Sequence, residues 1–68
     1  MIFRLINELE DIVIKRTKLE KFLDNNPDCP KEYIEMCCKQ LSILSEYRDI
    51  IRVRIEYLIN TNEKEPIN

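Results

Sequence analysis

The residues best suited to recognising a ligand form a column in the second half of the chain. Tyr33, Gln40, Tyr47 and Arg54 each follow the last by seven positions, a spacing that puts them on nearly one side of a helix. Arginine forks make bidentate contacts to phosphate and a tyrosine ring offers a stacking face, so this combination suits a phosphorylated, base-bearing ligand. The same column also reads as a solvated flank that lies over the core and forms ordinary ion pairs. Arg16 and Arg48 stand where an apolar repeat calls for a hydrophobic side chain. Such charges are tolerated where they reach solvent, a carboxylate or a ligand, and register-setting ion pairs are the structural alternative.

Catalytic chemistry has little to work with. The chain has no histidine and no glycine, and Ser42 and Ser45 have no base to activate them. Cys29, Cys37 and Cys38 form an odd set without the paired short spacings of a zinc site, so no metal is expected. They read as reduced thiols of a cytoplasmic protein, with Cys37 acting as a small buried apolar side chain. No enzyme activity and no cofactor are expected.

The elements that must hold these residues are helices. Apolar residues are 44% of the 68 positions and charged residues 35%, a balance suited to amphipathic helices. Ile2, Leu5, Leu9, Ile12, Leu19 and Leu23 keep an alternating spacing of three and four, interrupted by Arg16. Asp24, Asn25, Asn26 and Pro27 then gather the helix-stopping residues, and Pro27 disfavours a helical Asn26. Pro30 suits a first helical turn with Asp28 or Cys29 as the cap. Ile34, Cys37, Leu41, Leu44, Ile51, Ile55 and Leu58 repeat the stripe, broken by Arg48. The expected fold is all-α, an antiparallel two-helix hairpin with helices over 2–24 and 30–60, a turn over 25–29 and a flexible tail over 61–68. Residues whose numbers sum to about 57 then lie level, which brings Arg4, Arg52 and Arg54 together at the open end and Tyr47 near Glu10 and Asp11.

Each helix carries a second apolar column, Ile6 with Val13, and Met36, Ile43, Ile50 and Tyr57. Burying one large aliphatic side chain contributes about 1.5–3 kcal/mol, so exposing all of them would forfeit much of a small protein's margin. The hairpin is expected to assemble with itself into a homo-oligomeric helical bundle, a dimer or higher. Eleven basic against thirteen acidic residues give a net charge of −2, which argues against binding to DNA or to an anionic membrane. The N-terminal MIFRLINELEDIVIK mixes apolar and charged residues too closely for a signal peptide or a membrane span.

The pattern resembles a known group. The first helix offers Arg4-Leu5, Glu8, Asp11-Ile12, Lys15, Lys18-Leu19 and Phe22-Leu23. The second offers Gln40, Leu44, Tyr47, Ile51 and Arg54-Ile55. These are similar to the small helical-hairpin proteins of crAss-like and other phages, which are similar in fold to the anti-CBASS and anti-Thoeris sponges that sequester cyclic-nucleotide immune signals. Two positions depart: Leu44 stands for a methionine and Arg48 for a leucine. The resemblance implies a phage-encoded oligomer that binds a small anionic nucleotide in the host cytoplasm, with Arg4, Glu8, Lys15, Gln40, Tyr47, Arg48 and Arg54 as its ligand-binding set. A helical module that binds another protein is the alternative. A Rop-like nucleic-acid-binding dimer is disfavoured by the acidic balance.

Overall fold

A computed structural model describes the backbone of residues 1–64 and the side chains of residues 1–61. Two helices make up these residues, α1 over Ile2–Asn25 and α2 over Lys31–Lys64, with no strand among the described residues. The apolar stripes place α1 against α2 as a hairpin. Leu5, Ile12, Cys37 and Ile51 are buried, and Leu9, Leu44, Ile55 and Leu58 pack against Leu5, Ile12 and Ile51.

Between the helices the chain uses side chains and carbonyls in place of glycine. The Asn26 side-chain amide donates to the Phe22 carbonyl at 2.8 Å, satisfying one of the acceptors that a helix C-terminus leaves open. The Cys29 amide donates to the Asn26 carbonyl at 3.2 Å, closing the turn. The Ile34 amide donates to the Pro30 carbonyl at 3.0 Å, so Pro30 occupies the cap position itself rather than following Asp28 or Cys29. Glu32 lies in the first turn of α2, where the helix dipole favours an acid.

Helix α2 runs past Asn60 to Lys64. The segment after Asn60 is polar but holds no breaker before Pro66, and polarity alone does not stop a helix. Of the expected tail, residues 65–68 lie outside the described residues.

The two ends of the hairpin fix its register. Beside the turn, the Phe22 and Tyr33 rings meet edge to face, with centroids 5.9 Å apart and planes at 71°. At the open end Met1 lines one pocket with Arg54 and Leu58. Residues whose numbers sum to about 56 therefore lie level. The molecule is a rod of 58 × 15 × 13 Å.

Candidate functional site

Neighbouring positions on a helix differ by about 100°, so a row offset by one residue from the buried stripe lies around the corner from it. On α1 and its capping residue Met1 the row one position before the core stripe is Met1, Arg4, Glu8, Asp11, Lys15, Lys18 and Phe22. On α2 the matching row is Tyr33, Met36, Gln40, Ile43, Tyr47, Ile50, Arg54 and Tyr57. Lys15, Lys18 and Phe22 of α1 line one groove with Tyr33 and Gln40 of α2, and Met1 lines another pocket with Arg54 and Tyr57. Both rows therefore belong to one broad face of the hairpin, called here the front face.

Six of the seven residues expected to bind ligand share this face: Arg4, Glu8, Lys15, Gln40, Tyr47 and Arg54. All are exposed except Glu8, which is half-buried. The structure does not gather them into one cavity. Lys15 and Gln40 meet in a groove of about 350 Å³ near the turn, with Lys18, Leu19, Phe22 and Tyr33. Arg54 lines a more apolar pocket of about 360 Å³ at the open end, with Met1, Val53, Tyr57 and Leu58. Each volume is at the small end of the range for ligand sites. Arg4, Glu8 and Tyr47 line neither.

The expected cluster of Arg4, Arg52 and Arg54 is divided. Arg52 lines a shallow depression with Asp49, Val53 and Glu56 of its own helix. Arg52 and Arg54 lie two positions apart, about 200° around the helix, and that separation was legible in their numbering. The signal for Lys18, Phe22 and Met1 was also present, in the alternating spacing of three and four that links them to Lys15 and Arg4.

Arg48 and Arg16 stay in the core stripes, half-buried. Arg48 pairs with the adjacent Asp49, its Nε and its Nη2 each 3.2 Å from Oδ1. Arg16 Nη2 lies 4.0 Å from Glu20 Oε1, and its Nε is buried without a hydrogen-bond partner. Both pairs are made along one helix, so they do not set the register between α1 and α2.

The front face has its own charge. Arg4, Lys15, Lys18 and Arg54 set four cations against the two carboxylates of Glu8 and Asp11, although the whole chain is net acidic. Cations beside aromatic rings can hold an anionic ring-bearing molecule by charge-assisted contacts and stacking. Among the described residues no cluster of histidine, cysteine or carboxylate side chains could hold a metal ion, and no helix is long and apolar enough to cross a membrane. The free thiols are separately placed, Cys37 buried, Cys29 half-buried and Cys38 exposed.

Hairpin, open pockets and a cationic aromatic face together define a small helical binding protein. The family model described as Sequestin matches residues 1–57, and the chain belongs to that family. No curated protein and no solved structure matches the chain.

Proposed function

We propose that this chain is a phage-encoded, non-enzymatic sponge, which binds a small anionic nucleotide signal of host defence and withholds it from its receptor in the host cytoplasm. The observation that carries the reading is the front face, where cations and aromatic rings outweigh acids on an otherwise acidic chain. Membership of a family named for sequestering supports it. In this reading Arg4 and Arg54 hold phosphate, Lys15 adds long-range attraction, and the exposed tyrosines offer stacking surfaces. Glu8, Gln40 and Tyr47 supply acceptors and donors for ring edges and sugar hydroxyls. Arg48 lies in the core stripe with its charge paired to Asp49, off the front face. Homo-oligomerisation gives the sponge its bundle.

Calorimetric titration against cyclic dinucleotides, cyclic trinucleotides and cyclic ADP-ribose species tests the proposal. One member is expected to bind and to raise the melting temperature of the native protein. If none binds, the sponge reading fails and the protein-interaction module takes its place. A specific observation favours that second reading: Met36, Ile43, Ile50 and Tyr57 form an exposed stripe along α2.

A further inference from the structure

We infer that the front face docks a second copy of the chain, antiparallel and face to face, and that each of two ligand sites is built from both copies. The ligand part rests on the sponge reading, narrowed to Arg4, Arg54 and the rings at the two ends because Glu8 and Lys15 are taken up by the pairing, whereas the pairing stands without it.

The charges of the α1 row carry the pairing. From Arg4 to Lys18 they run plus, minus, minus, plus, plus, with Met1 and Phe22 at the ends. Laid against itself in the same direction, the row would set Arg4, Lys15 and Lys18 each opposite its own copy. Reversed about residue 13, it places Glu8 opposite Lys18 of the second copy, Asp11 opposite Lys15, and Arg4 over the Phe22 ring. Every charge then finds a complement.

Helix α2 points independently to the same axis. By the hairpin register, the level of residue 13 on α1 is that of about Ile43 on α2. Reversal there brings Ile43 against Ile43 and Met36 against Ile50, side chains left 56%, 66% and 58% exposed in the single hairpin. On the flank Lys39 comes level with Glu46. Charge pairing on one helix and apolar pairing on the other therefore share one two-fold axis. The row on α2 lies about 100° from its core stripe, close to the angle between two neighbours at a corner of a four-helix bundle.

The ends of the pairing receive what the middle does not use. Arg4, Arg54 and Tyr57 of one copy come level with Phe22 and Tyr33 of the other. Cations from one chain and rings from its mate form a site that neither completes alone, twice per dimer.

Two variants test the pairing. One carries Glu8→Lys with Asp11→Lys, the other Lys15→Glu with Lys18→Glu. Each alone should associate at least tenfold more weakly than wild type in sedimentation, and an equimolar mixture should form a one-to-one heterodimer and recover any helicity lost. If either variant alone assembles like wild type, or the mixture fails to associate, the pairing is wrong. The shared sites are tested in that heterodimer by calorimetry with cyclic di-AMP and cyclic ADP-ribose as probes. Arg54→Ala in one chain and Tyr33→Ala in the other should leave one site of two, whereas both substitutions in one chain should leave none. The opposite pattern would place each site within a single chain. If wild type binds neither probe, the sponge reading and the shared sites fall together, and sedimentation still decides the pairing.

Discussion

Arg54 lines the open-end pocket together with the exposed Tyr57. Charge-assisted hydrogen bonds to phosphate contribute about 1.5–3 kcal/mol each, so Arg54→Ala should weaken nucleotide binding at least about tenfold. Because Arg54 is exposed, its melting temperature should stay within a degree or so of wild type by calorimetric scan. Arg16 makes the opposite case. Its Nε is buried without a partner and its carboxylate contact is long, at 4.0 Å. Replacing it by leucine completes the apolar stripe, and Arg16→Leu should raise stability by about 1 kcal/mol in denaturant titration. The thiols separate by burial. Cys29→Ser and Cys38→Ser should leave helicity and binding unchanged, while Cys37→Ser should cost about 1–2 kcal/mol through its buried hydroxyl. Arg16 and Arg48 were legible as breaks in the stripe. Their choice of partners on the same helix was not, because a spacing rule identifies who is near without deciding which neighbour a long flexible side chain takes.

At the scale of the element, the stripes predicted which residues turn inward. Leu5, Ile12, Cys37 and Ile51 all came from the predicted core positions, since a period of three and four fixes the inward side of a helix whatever its partner. Ile51 has no exposed surface, and Ile51→Ala should destabilise the protein by about 2–5 kcal/mol in urea unfolding monitored by circular dichroism. The turn was legible from Asn26 and Pro27, while α1 keeps Asn25 and the cap of α2 is displaced to Pro30. Cap geometry depends on which carbonyl accepts the first intrahelical hydrogen bond, here Pro30 from the Ile34 amide, and composition carries no such information. The candidate site residues were legible as sharing a face, and their division between two pockets was not. Heptad spacing put Gln40, Tyr47 and Arg54 in one column, but which α1 residues stand beside each depends on register and on the angular phase of both helices.

The whole molecule is long and thin for its size. With four buried side chains on the described residues and Ile43, Ile50 and Met36 open to solvent, one hairpin covers little of its own apolar surface. Light scattering at micromolar concentration should give at least twice the mass of one chain, and a monomer with cooperative unfolding would overturn the reading. The method matters because of the shape. A compact chain of this length has a radius of gyration of about 11 Å, whereas the hairpin's is 16.5 Å. Friction grows with that elongation, so even a lone hairpin will tumble slowly and elute early from a sizing column, mimicking a globular protein of greater mass. Retention time alone would credit one rod with a partner it lacks, and only an absolute mass distinguishes slender from paired.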